Sequence, residues 1–229
     1  MALLLSLETS TQTCSVAVHN KGVLLAYQEV LEPRSAASQL AVSIQHVLRA
    51  ATVKPSELQG IIVAAGPGSY TGLRIGVATA KGICYALRIP LIAVNTLDVL
   101  ASLGRDQINI MSEDVFLCPM LDARRMEVYC KLVNHRLQEL EPTQAKIIDE
   151  QSFLDYLIKG RVYFFGDGAS KCRSIMNHPN GIFLENIVPL ATRLGEMGYA
   201  KWPSQDFEAV DSFEPFYLKD FLIRKPTLS

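Results

Sequence analysis

The sequence predicts an α/β fold, and three observations support this class. Short apolar runs of strand length alternate with longer stretches in which apolar residues recur at helical spacing. A turn formed by Gly66, Pro67 and Gly68 joins the end of one predicted strand to the start of a predicted helix. The chain has 229 residues, of which 49% are hydrophobic, so it is long enough for one or two domains with a sizeable core.

The first hundred residues contain a regular succession of elements. Asn20, Lys21 and Gly22 separate two strand-like runs, as in a hairpin turn. The spacing of apolar residues differs on the two sides of the glycine turn. The short continuous apolar run before it predicts a buried strand, and the helical spacing after it predicts a helix. The predicted strands are 2–8, 14–19, 23–30, 60–65 and 91–94, and the predicted helices are 35–51, 70–88 and 96–103.

The second half of the chain is predicted to form a smaller α/β domain. Residues 104–112 are polar and turn-rich, which predicts a boundary between a domain at 1–103 and another at 104–229. A second glycine turn, at 166–168, is expected to open a helix that ends at residue 176. The other predicted elements are strands at 115–119, 126–132 and 161–165, and helices at 151–159 and 187–201.

The composition excludes several classes of function. Lys and Arg number 22 and Asp and Glu number 23, so the chain has no electrostatic reason to bind nucleic acid or a membrane by itself. Its five cysteines are scattered without paired spacing, which is typical of reduced thiols in the cytosol and not of a disulfide frame or a zinc site. Charged residues interrupt the longest apolar stretch, so no membrane span is predicted and a cytoplasmic protein is expected.

The first glycine turn is a possible anion site, because unpaired N–H groups point outward at a helix N-terminus. The two familiar phosphate motifs do not fit it. A P-loop requires a Lys directly after its second conserved glycine, and no Lys follows Gly72. The dinucleotide fingerprint requires its third glycine three residues after the second, whereas Gly72 comes four residues after Gly68. Spacing alone therefore leaves Gly66 and Gly68 as weak candidates for phosphate binding.

Three stretches resemble one known family. The segment from Gly66 to Gly76, GPGSYTGLRIG, is similar to the signature of the bacterial tRNA threonylcarbamoyladenosine biosynthesis protein TsaB (YeaZ-like) family. The segment from Leu7 to Val18 resembles the first strand pair of that family, and the one from Ile89 to Val94 resembles a later strand. The resemblance spans about the first hundred residues, and the rest of the chain matches only in outline.

The resemblance implies a fold and a function. The fold would be the actin-like ATPase (ASKHA) fold with two domains, the second reduced; the predicted order of elements is compatible with one half of it. The function would be that of a non-catalytic subunit that activates its catalytic paralogue TsaD. TsaD transfers a threonylcarbamoyl group to N6 of adenosine 37 in tRNAs that read codons beginning with adenine. The P-loop ATPase TsaE also takes part, and tRNA would be contacted mostly by the partner.

In the family resembled, two helices dock against the equivalent pair of TsaD, or against a second copy when the protein is alone. The first predicted helix carries a single formal charge, Arg49, on its outward face, which suggests a partner surface. The second has two stripes of small residues, and either of them could instead face the core; the second stripe is Ala78, Gly82 and Ala86. The predicted interface residues are Ser38, Gln39, Val42, Gln45, His46, Gly72, Gly76 and Ala80.

The resemblance also implies that catalytic groups are missing. The two metal-binding histidines of TsaD align with Thr96 and Leu100, and an acidic pair of TsaD aligns with Gln12 and Thr13, so neither a metal nor another cofactor is expected. The glycine turn at 166–168 lies where an actin-like second domain would contact a nucleotide. Gly166 and Gly168 are therefore weak nucleotide candidates, and an ordinary αβ turn is the alternative.

Two enzymatic alternatives remain. A small ATP-dependent phosphotransferase of the actin-like class would need a metal-holding carboxylate in the first loop, where only Glu8 is available, and Glu8 is expected to turn into the sheet. A glycoprotease would need a zinc motif or a serine nucleophile elbow. Ser69 does not fit such an elbow, because Thr71 occupies the position where the second glycine would be required.

Overall fold

The structure, a computed structural model, describes residues 2–30, 36–109 and 113–218, with side chains at all of these except 36–38. Its first sheet contains four apolar strands that are buried on both faces and one edge strand that is largely exposed. The strands are β1 (Leu3–Glu8), β2 (Cys14–Asn20), β3 (Val23–Val30), β4 (Gly60–Gly66) and β5 (Leu91–Asn95). They are arranged in the order β3-β2-β1-β4-β5, with β1 antiparallel to β2 and parallel to β4. Leu5 of β1 lies between Val18 and Ile61, which places an aliphatic row across the sheet centre.

The second sheet repeats the topology of the first. Its strands are β6 (Val115–Asp122), β7 (Glu127–Asn134), β8 (Glu139–Ile147), β9 (Arg161–Phe165) and β10 (Gly181–Phe183). The order is β8-β7-β6-β9-β10, so β6 takes the central place that β1 has in the first sheet. As in the first sheet, the first three strands run antiparallel to one another and the last two run parallel to the central strand.

The helices explain why the second half is smaller. In the first half, the helices α1 (Ala36–Ala50) and α2 (Tyr70–Leu87) follow the third and fourth strands. At the equivalent places of the second half the chain forms only the four-residue helix α4 (Leu154–Leu157) and a single 3-10 turn at Ser170–Cys172. The helix α3 (Thr96–Asp106) follows the first sheet, and α5 (Ala191–Lys201) follows the second.

The helices form two layers on the first sheet. Leu40 and Val47 of α1 and Val77 of α2 pack in one apolar cluster with the side chains of β1 and β2. On the opposite face, Leu194 of α5 packs against Leu4 and Ile62. No helix within the described ranges is long and apolar enough to cross a membrane.

The predicted domain division does not separate two independently packed units. The boundary after residue 103 falls inside α3, which extends to Asp106. Leu97 and Leu100 of α3 pack against the second sheet, while α5, from the predicted second domain, covers the first. Each half therefore supplies a helix to the core of the other half.

An ion-pair cluster also joins the two halves. The ammonium of Lys131, on β7, lies 2.6 Å from Asp98 of α3 and 3.0 Å from Glu139 of β8. Burial disfavours the charge of Lys131, but the two carboxylates outweigh this effect and raise its pKa. Asn95, which caps α3, adds a hydrogen bond of 3.2 Å from its amide to Thr143 of β8.

Most elements of the first half occur where they were predicted, and the differences concentrate in the second half. β8 was not predicted, because Pro142 is unfavourable in an interior strand; β8 is an edge strand, where proline is tolerated. β10, with only three residues, was also not predicted. Pro189 favours an extended chain before α5, so that helix begins at Ala191 and not at residue 187. A left-handed Phe153 delays α4 and leaves it short.

Candidate functional site: the glycine turn and the helix pair

The turn between β4 and α2 is fixed by contacts with the first loop. The hydroxyl of Ser69, the N-cap of α2, accepts a hydrogen bond of 3.3 Å from the N–H of Gly72. The N–H of Ser69 donates a hydrogen bond of 2.6 Å to the carbonyl of Ser10. Gly66 has a φ of +106°, a conformation that favours glycine, and its peptide bond to Pro67 is cis. The strand-to-helix turn predicted from the sequence is thus present and is tied to the end of β1.

A segment from the C-terminal part of the chain covers this turn. The N–H of Phe216 donates a hydrogen bond of 2.7 Å to the carbonyl of Ala65, and the ring of Tyr217 lies 5.0 Å from that of Tyr70. Lys81 of α2 donates to the carbonyl of Phe213 at 2.9 Å. The space beside the glycine turn is therefore filled by this chain, an arrangement that no local sequence pattern predicts.

Close backbone packing explains why glycine occupies the four positions that were candidates for nucleotide binding. A Cβ built on Gly66 would lie 2.9 Å from the carbonyl oxygen of Phe216, and one on Gly68 would lie 2.4 Å from that of Ser10. In the second half, a Cβ on Gly166 would lie 2.2 Å from the carbonyl oxygen of Met120, and one on Gly168 would lie 2.6 Å from the carbonyl carbon of Leu121. A phosphate at either turn would have to displace these contacts.

Glu8 is enclosed at the end of β1. Its side chain is fully buried, and one carboxylate oxygen accepts a hydrogen bond of 2.7 Å from the N–H of Ser10. The other oxygen has no hydrogen-bond partner within the part of the chain that the structure describes. Burial raises the pKa of Glu8 to about 7, although the hydrogen bonds from Ser10 act in the opposite direction. The carboxylate of Glu8 is thus enclosed by the protein and is not exposed to a metal ion in solution.

The structure also locates the residues aligned with the metal ligands of TsaD. Thr96 and Leu100 are both fully buried, and Leu100 belongs to the apolar cluster between α3 and the second sheet. Across the described ranges, no group of three or more His, Cys, Asp or Glu side chains is arranged to hold a metal ion.

One small-residue stripe of α2 faces inward and the other faces outward. A Cβ on Gly72 would lie 2.0 Å from the carbonyl oxygen of Thr9, and one on Gly76 would lie 2.2 Å from its hydroxyl, while Ala80 is fully buried. The hydroxyl of Thr9 donates a hydrogen bond of 2.8 Å to the carbonyl of Gly72. The prediction that Gly72, Gly76 and Ala80 contact a partner is therefore wrong, because this stripe packs against the first loop of its own chain.

The sequence contains a signal that could have identified the inward stripe. At about 100° per residue, Gly76 and Ala80 fall in the same sector of α2 as Leu73 and Cys84, both of which are buried. Ala78, Gly82 and Ala86 fall in the sector of Arg74 and are exposed. The positions of the large apolar residues thus distinguish the two stripes, whereas the small residues alone do not.

An exposed surface remains on the helix pair, and we call it the helix-pair surface. Of the predicted α1 residues, Val42, Gln45 and His46 are exposed, with 54% exposure for Val42, and Gln39 is half-buried. The side chain of Ser38 lies outside the described residues. On α2, Tyr85 has 85% exposure, and a Cβ on Gly82 would have no neighbour within 4 Å. The helix-pair surface comprises Val42, Gln45, His46, Arg74, Ala78, Gly82, Tyr85 and Ala86.

The duplicated topology defines the class of this protein. Two sheets with the same strand order and directions, joined through shared helices, are the architecture of the actin-like ATPase fold, which confirms the predicted fold class. Residues 31–155, more than half of the chain, match the family described as TsaD: tRNA N6-adenosine threonylcarbamoyltransferase. The chain belongs to this family.

Within the family, the similar proteins carry the names that the sequence signature predicted. The chain is 33% identical over 144 residues to the tRNA threonylcarbamoyladenosine biosynthesis protein TsaB of Bacillus subtilis, covering 62% of this chain and 60% of that protein. It is 32% identical over 126 residues to TsaB of Escherichia coli, covering 55% and 52%. The chain thus spans about half to three fifths of the length of these curated relatives. The structure of YeaZ from Pseudomonas aeruginosa superimposes with a TM-score of 0.79 at 26% identity, covering 95% of this chain and 100% of that one. The resemblance to TsaB and YeaZ is confirmed.

The two stripes of α2 predict opposite effects of one substitution. Gly76→Ala should destabilise the fold by about 2 kcal/mol, because the methyl group would overlap the buried, hydrogen-bonded Thr9. Gly82→Ala, in open space on the same helix, should stabilise it by about 0.5–1 kcal/mol through helix propensity. Urea unfolding of both variants measures the two changes. Equal midpoints for Gly76→Ala and the unmodified chain would contradict the inward orientation.

The buried carboxyl of Glu8 predicts a pH dependence of stability. The pKa of Glu8 is about 7 in the folded chain, whereas its ordinary value is 4.5. Folding favours the protonated form of Glu8. The resulting contribution to the free energy of unfolding is fully present below pH 4.5 and is lost as the pH rises through 7. Relative to Glu8→Gln, the unmodified chain should lose about 2–3 kcal/mol of unfolding free energy between about pH 5 and about pH 8. If Glu8 were solvated, the difference in unfolding free energy between the two proteins would not change with pH, and this result would contradict the prediction.

The filled glycine turn predicts weak nucleotide binding. Mg-ATP would have to displace Phe216 from Ala65 and Ser10 from Ser69, and Glu8, the carboxylate at the end of β1, is fully buried. Calorimetric titration of the chain with Mg-ATP should therefore give no binding at micromolar affinity. A micromolar dissociation constant would support the phosphotransferase alternative instead.

Proposed function

We propose that this chain is a non-catalytic scaffold subunit in the formation of N6-threonylcarbamoyladenosine at position 37 of tRNAs that read codons beginning with adenine. It would dock to the catalytic paralogue TsaD and hold it in an active state. The observation that carries this proposal is the helix-pair surface, where Tyr85 and Val42 are exposed next to a stripe of small residues. The similarity to proteins named TsaB supports the assignment to this pathway.

The helix-pair surface has the properties of a docking site for a pair of helices. Gly82 leaves open space, so a facing helix can approach to the near end of the usual 8–10 Å interaxial range. Tyr85 is a large exposed aromatic residue, and such residues are enriched among those that dominate binding energy. Arg74 of α2 and Arg49, on the same outward face of α1 as Gln45 and His46, are both exposed, so a partner would desolvate few charges.

The interior supports a scaffold role. The carboxylate nearest to the actin-like metal position is enclosed, and a threonine and a leucine occupy the positions of the histidine ligands. In the proposed complex, which forms in the cytoplasm, the metal and the transfer chemistry belong to TsaD, and TsaE supplies the ATPase. TsaD also makes most of the tRNA contacts. Without TsaD, the same helix-pair surface would pair with a second copy of the chain.

Two substitutions test docking without touching the core. Val42→Arg would bury an unpaired charge, which costs several kcal/mol, and Gly82→Trp would push a facing helix away. Each should weaken binding to TsaD by at least about 100-fold and abolish threonylcarbamoyl transfer to tRNA in the reconstituted system. The measurements are co-purification with TsaD and modification of tRNA.

Leu140→Arg is the matched control, because Leu140 has 40% exposure and lies on β8, away from both helices. It should bind TsaD and support modification like the unmodified chain. If Val42→Arg and Gly82→Trp fold normally and also behave like the unmodified chain, docking through the helix pair is wrong.

A further inference from the structure

Two successive arginines form an exposed turn between β6 and β7. Arg124 has a φ of +67° and Arg125 has a φ of +48°, so both adopt the left-handed backbone conformation. This conformation is unfavourable for most residues, and glycine or asparagine usually occupies such positions. The backbone therefore does not explain why arginine occurs here twice. Strained residues of this kind cluster at functional sites, which directs attention to what the two side chains do.

The guanidinium groups of the turn are not neutralised by the carboxylates around them. Asp122 forms an ion pair with Lys171 and accepts a hydrogen bond of 3.1 Å from the N–H of Arg124. Asp167 accepts a hydrogen bond of 2.9 Å from the N–H of Asp122. The side chains of Arg124 and Arg125 are exposed, and neither takes part in an ion pair within the described ranges. Two positive charges are thus left for an external anion.

The chemistry of this turn fits the phosphate backbone of a nucleic acid. A guanidinium is permanently charged, and its planar fork of donors matches phosphate oxygens. The large hydrophobic residues that are exposed in the described ranges include none of residues 122–127, whereas the centre of a protein–protein interface is usually apolar. Contacts to a nucleic-acid backbone need no apolar surface, because they are made to phosphate oxygens. The turn is therefore better suited to RNA phosphate than to an acidic protein surface.

The turn is also separate from the helix-pair surface. Arg124 and Arg125 follow β6 of the second sheet, whereas α1 and α2 pack on the first sheet. Docking through the helix pair and anion binding at the turn therefore use different residues, and both can occur in one complex.

We propose that Arg124 and Arg125 bind phosphate groups of the tRNA when the chain is docked to TsaD. This inference rests on the proposed function, because the docked complex is what holds the tRNA. Two arginines neutralise about two phosphates, so a chain with a net charge of -1 can make this contact although it would not bind tRNA firmly by itself. Phosphate contacts fix the orientation of a nucleic acid and carry no sequence information, so the arginines are positioning residues for the tRNA.

The affinity of the docked complex for a tRNA that reads codons beginning with adenine tests the proposal. Fluorescence anisotropy from about 50 to about 200 mM salt gives both the affinity and its salt dependence. The double variant Arg124→Gln and Arg125→Gln should bind tRNA at least about tenfold more weakly, and the slope of log K against log salt should become shallower by about 1–2. In threonylcarbamoyl transfer, the KM for tRNA should rise while kcat stays unchanged, because only binding is lost.

The matched control is Arg136→Gln with Arg161→Gln. It removes the same two charges from the opposite end of the second sheet, since Arg161 pairs with Val115 at the start of β6 and Arg136 follows Asn134 at the end of β7. This control should leave the affinity for tRNA and its salt slope unchanged.

A further variant separates binding from folding. Arg124→Asn with Arg125→Gly gives the turn the residues that the left-handed conformation favours. It should have a higher urea midpoint than the glutamine variant and should bind tRNA as weakly as that variant does. If it were instead less stable, the arginines would serve the fold, and the inference would be wrong.

Co-purification of each variant with TsaD keeps the two proposals distinguishable. The inference alone is overturned if the glutamine variant docks normally and binds tRNA with unchanged affinity and salt slope, or if the control weakens binding equally. It is also overturned if the glutamine variant loses docking to TsaD, because the turn would then be a protein contact. Failure of the unmodified chain to bind TsaD would overturn both proposals.

Discussion

The exchange of helices between the two halves is the constraint on which the rest of the structure depends. α3 follows the first sheet but packs on the second through Leu97 and Leu100, while its Val99 joins the cluster of the first sheet. α5 follows the second sheet but packs on the first. Glycines permit these close approaches, since a Cβ on Gly104 would lie 2.3 Å from the ring of Phe165 and one on Gly195 would lie 2.1 Å from the imidazole of His19. Neither sheet has a complete core without the other half, so the relative position of the two sheets is fixed by the same contacts that stabilise each of them.

The packing around the glycine turn also bears on function. The loop that follows β1 and the segment at Phe216 both pack against the glycine turn, so contacts within the chain occupy the space that a phosphate would need there. Glu8, the nearest carboxylate, is fully buried there. What the fold leaves accessible is its outer surface, where α2 presents Gly82 and Tyr85. The features available for recognition by a partner are therefore on the exterior, in line with the proposed scaffold role.

Local sequence patterns predicted much of the fold and only part of the candidate site. The strands at 23–30 and 161–165 have the predicted bounds, because their ends carry clear turn residues. The outward face of α1 was predicted from its polarity, and Val42 is exposed there. The orientation of the Gly76 stripe was not predicted, although the buried Leu73 and Cys84 in the same sector of α2 indicate it. Its contact with Thr9 has no local signal, because Thr9 is distant in sequence and becomes a neighbour only when β1 and β4 pair. The covering segment at Phe216 was missed for the same reason, since a single backbone hydrogen bond has no sequence signature.

The late position of α5 in the chain has a consequence for biosynthesis. Chains emerge from the ribosome amino terminus first, at about 5–20 residues per second. All five strands of the first sheet are made by Asn95, but the helix that covers Leu4 and Ile62 does not begin until Ala191. For about 5–20 s the growing chain therefore carries a finished set of strands whose apolar face has Val99 of α3 but still lacks α5. The half of the protein that is made first is the last to be protected from aggregation.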